Sequence, residues 1–349
     1  MDFTPNFQNI VDAASNKEAK RLPLYEHIIS PKVMEEVLGR KFKEMLEGNA
    51  SDKREFFRNY NGFFRKMGYD TVSFECCAGE AMPGSGALGK HVDPVIKDMA
   101  DFNVYPWKDL PDIYFKKFSE DFEALSDTMP DGMRGIGGVG NGVFECVQEL
   151  VGFENLCYIQ IDDPELYALL FKNVANALYE IWSRFLRLFG NMYCVYRMGD
   201  DLGYKTNTML HAEDIRVHII PQYKRIVELA HSCGKPFLLH SCGCIWNVMN
   251  DIIDVAKIDA KHSNEDQIAT FDVWVKRYGG RIGNFGGIDT DAVCRLSQKE
   301  IHEYVFDMIK KCEGHGGLAF STGNSIPDYV PVKGYLAMVE AVREYRGDF

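Results

Sequence analysis

His240 and Cys242 stand two positions apart in the run HSCGC, His240–Cys244, and both residue types bind zinc. At the end of a β-strand an i, i+2 pair points to one side, so an imidazole and a thiolate there can reach one ion. Gly243 lets the chain turn, and Cys244 falls beyond that turn. The plain alternative is a buried histidine bonded to backbone beside two core thiols. In MGDDLG, Asp200 and Asp201 put two carboxylates side by side, and on a strand end adjacent residues face opposite sides. Asp201 is read as the one lining a pocket and Asp200 as a cap for the next segment. Tyr204 and Lys205 follow on the same loop. They could bind an acidic or phenolic group, or simply stand in solvent. The run HSNED, His262–Asp266, brings His262 and Glu265 together for metal binding or proton transfer. Asp289 in GGIDTD offers a further carboxylate. Helix capping is the local alternative for Asn264, Asp266 and Asp289.

These residues share one position in the pattern: each ends or follows a short β-type run. The runs are Thr71–Glu75, which ends on Glu75, then Tyr193–Met198, Pro236–His240, Lys257–His262, Arg281–Asp289 and Gly317–Ser321. Helical periodicity separates the later runs, at 213–232 with a kink expected at Pro221, then 245–256, 268–278, 297–313 and 333–345. Strand–helix alternation of this kind predicts parallel strands with crossover helices. The number of units favours an α/β fold of the (β/α)8 TIM-type barrel kind, in which active sites line the C-terminal strand ends. Residues 1–70 read as an N-terminal helical cap and 71–349 as the barrel, effectively one domain.

Two glycine runs, GSGALG at Gly84–Gly89 and GIGGVG at Gly135–Gly140, match G-x-G-x-x-G. Neither sits in the strand-to-helix turn that a dinucleotide site needs, so both are read as flexible loops over the barrel mouth. The helix expected after the second run would present Glu145 to the pocket. No P-loop and no G-x-S-x-G elbow occurs.

Composition limits the function classes. With 39 Lys+Arg against 51 Asp+Glu, the net charge is −12 over 349 residues, which disfavours a nucleic-acid binder. No apolar run approaches the roughly 18 residues of a membrane span. The N-terminal MDFTPNFQNIVDAASNKEAKR lacks the apolar core of a secretory signal. Ten scattered cysteines then read as reduced thiols, and a cytoplasmic location is expected.

From about Gly199 to Tyr345 the chain resembles the uroporphyrinogen decarboxylase superfamily. The resemblance rests on GDDLG, HSCGKPFLLHSCG, IDAKHS, KRYGGRIGNFGGID and STGNSIPDYVPVKGYLAMVEAVREY. It implies a distorted β/α barrel with added N-terminal helices. One branch decarboxylates tetrapyrrole acetate arms without metal, through an arginine motif that Arg21, in KRLPLYEH, does not reproduce. The other branch comprises zinc-dependent methyltransferases that work with a corrinoid protein. Their His-x-Cys falls here on His240 and Cys242, and the distant cysteine of the thiol-methylating members falls on Asn324. The GNSIPDYVP ending is similar to donor-side enzymes of anaerobic demethylation, including O-demethylases of methoxylated aromatics.

The resemblance thus implies transfer of a methyl group from a small methylated donor to the cobalt of a separate corrinoid protein. Glu75, Glu145, Tyr204, Lys205 and Asn324 would bind substrate; Asp201, His262, Glu265 and Asp289 would act in catalysis. Glu75, Glu145 and His262 are candidates for a third metal ligand. None of AHSCGK, KHSNED and EGHGG is a D-x-H-x-x-G corrinoid loop, so the cobalamin must come from a partner. A homodimer is compatible with the family. The alternatives are a metal-free decarboxylase and a non-catalytic tetrapyrrole-binding barrel.

Overall fold

The computed structural model describes residues 3–89 and 92–348. Among the described residues seven parallel strands pair in chain order: β1 Val72–Glu75, β2 Gly135–Asn141, β3 Tyr193–Gly199, β4 Phe237–His240, β5 Ala260–His262, β6 Gly283–Ile288 and β7 Leu318–Thr322. Helices cross between them, including Pro164–Phe189 and Gln298–Cys312. The result is the TIM-barrel-like α/β arrangement that the alternation predicts. The strand ends expected from the sequence lie within three residues of those observed.

The first 70 residues do more than cap. They hold the expected helices, among them Pro31–Leu38 and Ala50–Met67, the latter opened by an Asn49–Asp52 capping box. Between Gln8–Ala14 and Pro31–Leu38, however, the chain runs extended beside β7. The Tyr25 N–H donates to the Phe320 carbonyl at 2.8 Å, and Phe320 N–H donates to Pro23 at 2.9 Å. On its other side Ser73 Oγ, on β1, donates to the His27 carbonyl at 2.9 Å. Leu24–Ile29 therefore occupies the gap between the two edge strands and satisfies backbone groups that a seven-stranded sheet would leave open.

The GIGGVG run is strand β2, not a mouth loop. It lacks the β-branched and aromatic residues that mark strands, because neighbours come too close for side chains. A Cβ on Gly137, at φ +146°, would lie 1.9 Å from the Phe74 carbonyl oxygen, and one on Gly138 would meet the Trp182 ring at 2.6 Å. At 213–232 the expected kink is a widened π turn, Ile215–Ile219, immediately before Pro221 in the helix Ile220–Ser232. Residues 84–89, by contrast, are loop and turn as expected.

Two apolar layers hold the barrel. The larger lies between strands and helices. The smaller fills the barrel interior, where Ile10, Ala13 and Ala14 of the first helix pack against Ile136, Val195, Leu238, Phe285 and Ala319. This plug closes one end and leaves the C-terminal strand ends open. No helix among the described residues is long and apolar enough to cross a membrane. All ten cysteines are free thiols.

One buried carboxylate ties the N-terminal elements together. Glu35, 6% exposed, accepts backbone N–H bonds from Phe42 at 2.7 Å and Lys43 at 2.8 Å, and a bond from Lys41 Nζ at 3.0 Å. Burial opposes its charge, but the Lys43 and Phe42 N–H donors and then Lys41 outweigh it and hold the carboxyl down to about 2. Its folded pKa lies below the unfolded one, so its contribution is complete above about pH 4.5 and fades as pH falls toward 2. Glu35→Gln should cost about 1–3 kcal/mol at pH 7. In urea unfolding, the gap to the wild-type midpoint should narrow at pH 3; a gap unchanged by pH would show that the charge is not responsible.

Candidate functional site

Pairing register decides which side chains meet. His240 ends β4 and His262 ends β5, and the two are direct partners across the ladder, with Gly199 opposite His240 on β3. Partners in register face the same way, so both imidazoles enter the barrel. Their Nδ1 atoms are 2.7 Å apart. His240 Nε2 points outward, 3.3 Å from Cys242 Sγ and 3.7 Å from Asp201 Oδ1. Asp201 also accepts the Cys242 N–H at 2.9 Å, which fixes the two loops together. Two further groups reach the sulfur, Asn324 Nδ2 at 3.4 Å and Ser263 Oγ at 3.5 Å. Ser263 holds an unusual φ of +122° while doing so. Strained backbone of this kind persists where the surroundings over-determine it.

The donor set suits a zinc-type ion. One ligand atom each from Asp201, His240 and Cys242 lies within 4.8 Å of the others, as does one each from His27, His240 and His262. Nitrogen, sulfur and carboxylate oxygen are among the ligand atoms that zinc takes in proteins. Burial and then the Asp201 carboxylate push the Cys242 thiol well up; a bound cation would reverse that balance. Burial likewise keeps His240 well below its ordinary value and His262 down to about 3, which favours the neutral imidazoles that a metal takes.

The remaining residues sort by contact. Asp200 is turned away from Asp201 and caps the helix Val143–Val151, accepting from Phe144 N–H at 3.0 Å, Glu145 N–H at 2.8 Å and Tyr223 OH at 2.6 Å. Glu145, on that helix, accepts the Asp201 N–H at 3.0 Å and Asn141 Nδ2 at 2.8 Å. Burial, with the Asp201 and Asp200 charges beside it, raises its carboxyl well up and favours the protonated form. A cavity of about 180 Å³ adjoins the sulfur site, lined by Asn324, Lys205, Asn264, Glu265, Asp289 and Asp291, among others. Asp289 also caps the helix Thr290–Arg295 and accepts the Asp266 N–H at 2.7 Å. Lys205 bonds Gln267, and Tyr204 stands 66% exposed at the rim. Glu75 lies deeper, paired with Arg197 rather than open to a substrate. It is 3.8 Å from His27, and no ligand group of the Asp201–His240–Cys242 set includes it.

Three buried residues escaped the sequence reading. His27 lies on the gap-filling segment and stacks on His240, with ring centroids 3.8 Å apart and planes 6° from parallel. Nothing near it in the sequence marks a strand end. Arg197 sits in an otherwise apolar strand, YCVYRMG, and a lone arginine there does signal a buried counter-charge. Lys261, one residue before His262, is fully buried over the Trp274 ring at 3.8 Å and donates to the Ser263 carbonyl. Burial brings its ammonium down to about 7, against the opposing pull of Cys242 and Asp201.

A family model described as uroporphyrinogen decarboxylase (URO-D) matches residues 81–345. No curated protein sequence matches the chain. Among solved structures, a methyltransferase from Methanosarcina mazei superposes with a TM-score of 0.75 at 15% identity, covering 97% of this chain and 98% of that one. A putative vitamin-B12-independent methionine synthase from Listeria monocytogenes gives 0.52 at 12% identity, over 93% and 99%. At these identities the likeness is one of fold.

Proposed function

The chain belongs to the uroporphyrinogen decarboxylase family, and on that premise we propose that it is a zinc-assisted methyltransferase. It takes a methyl group from a small methylated donor, with methoxylated aromatics as the favoured class, and delivers it to the cobalt of a separate corrinoid protein. The observation that carries this reading is the gathering of Asp201, His240 and Cys242 at the open barrel end. The fold shared with a methyltransferase supports it.

When bound, the ion would supply positive charge against the negative charge that develops on the leaving heteroatom. The chain's own residues do the rest. His240, Cys242 and Asp201 would hold the ion, while Asn324 and Ser263 fix the sulfur. Glu145 accepts the Asp201 N–H and so fixes the loop that carries that carboxylate. The polar cavity by Asn324 receives the donor's oxygen end, and the exposed Tyr204 and Tyr329 offer ring faces at the rim. Phe74 on β1 and Phe285 on β6 instead pack against Phe57 and Tyr25.

The test is a donor panel of methoxylated aromatics, methylamines and simple methyl compounds, incubated with cob(I)alamin and followed by methylcobalamin absorbance, with bound metal measured in parallel. One zinc per chain and turnover of a methoxylated aromatic are expected. A protein that binds no zinc and methylates no cobalt across the panel would refute the proposal.

A further inference from the structure

We propose that His262 is a positioning residue that fixes which nitrogen of His240 is bare, a reading that rests on the metal centre proposed above for its functional meaning. His262 Nε2 lies 3.1 Å from the Thr322 carbonyl oxygen and 3.3 Å from Ser321 Oγ. A carbonyl only accepts. Ser321 donates its hydroxyl proton to the same carbonyl at 2.6 Å, so its oxygen also faces His262 as an acceptor. Both partners therefore require a proton on Nε2.

His262 is wholly buried and none of its hydrogen-bond partners is a carboxylate, so the ring is neutral. A neutral imidazole protonated at Nε2 is bare at Nδ1. That bare atom lies 2.7 Å from His240 Nδ1. His240 must then carry its proton on Nδ1 and donate it. In the neutral form that binds a metal, His240 is then bare at Nε2, the atom 3.3 Å from Cys242 Sγ and 3.7 Å from Asp201.

One backbone carbonyl on β7 thus dictates, through two rings, where a lone pair appears at the mouth. Metal-binding histidines usually pass their second proton to a carbonyl or carboxylate directly. Here a second histidine stands between. The ring planes are held as well: His27 stacks on His240 at 3.8 Å, and Tyr25 lies edge-on to His262 at 5.0 Å. Both come from the gap-filling segment Leu24–Ile29, outside the part of the chain that the family model matches.

The test has two arms. In metal-free protein with 15N-labelled histidine, two-bond nitrogen–proton couplings report the protonated nitrogen of each ring. His240 protonated at Nδ1 and His262 at Nε2 are expected; His240 protonated at Nε2 would overturn the proposal. This arm needs no variant to fold. In the second arm zinc is titrated into wild type, His262→Leu and His262→Asn. Leucine removes the acceptor and should weaken zinc about 10–100-fold, while asparagine keeps a carbonyl at the δ position and should stay within about threefold. Wild-type affinity in the leucine variant would overturn the proposal. Since the couplings are read without metal, a wild-type chain that shows them but binds no zinc supports the lock and refutes the metal reading alone.

Discussion

Cys242→Ser is expected to leave the barrel folded, to weaken zinc binding by at least about 100-fold and to reduce methyl transfer to cobalt by a similar factor. Supporting residues around a metal command roughly 10–100-fold in affinity, and a direct ligand should exceed them. The substitution isolates ligation from packing. A serine hydroxyl can still meet Asn324 Nδ2, Ser263 Oγ and His240 Nε2, which surround the sulfur at 3.3–3.5 Å. What it cannot supply is a thiolate, because an alcohol holds its proton where a thiol yields it to a metal. Competition with a chromogenic chelator measures the affinity, and thermal melting of the metal-free forms checks the fold. Equal zinc affinity in the two proteins would remove Cys242 from the site, and with it the reading of the mouth as a metal centre.

A second large effect is expected in the barrel interior. Glu75→Leu should destabilise the protein by about 3–5 kcal/mol, because it leaves the Arg197 guanidinium buried without its counter-charge. Arg197 is 0% exposed, and Glu75 accepts from its Nε at 2.8 Å and pairs with Nη2 at 2.7 Å. Arg197 further donates to Ser73 Oγ at 2.6 Å and Tyr25 OH at 3.0 Å, so the network spans β1, β3 and the gap-filling segment. The double variant Glu75→Leu/Arg197→Met should recover most of the loss, since removing both charges also removes the desolvation penalty. Urea unfolding of the three proteins decides it. If Glu75→Leu leaves the midpoint unchanged and instead raises KM for the methyl donor, the carboxylate belongs to substrate binding, as the sequence suggested, and not to the interior.

The alternation of short apolar runs with helical periods determined the fold by itself, because parallel strands buried on both faces need crossover helices of that length. The same alternation put the chemistry-bearing residues at one rim, and the two-residue strand period set His240 and Cys242 on one side. Those rules are local, and the sequence carries them in full. β2 was hidden because glycines forced by the Phe74 backbone and the Trp182 ring erase the usual strand composition. Leu24–Ile29 was hidden because its partners lie about 300 residues away on β7. Only the closed barrel, by pairing β4 with β5 in register and laying that segment between β7 and β1, sets His27, His240 and His262 in contact. It also turns Glu75 inward to Arg197 and assigns Asp200 to a helix end while Asp201 faces the sulfur. Spacing along a chain fixes which side a residue faces; which residue stands opposite it depends on long-range register, and that is a property of the folded whole.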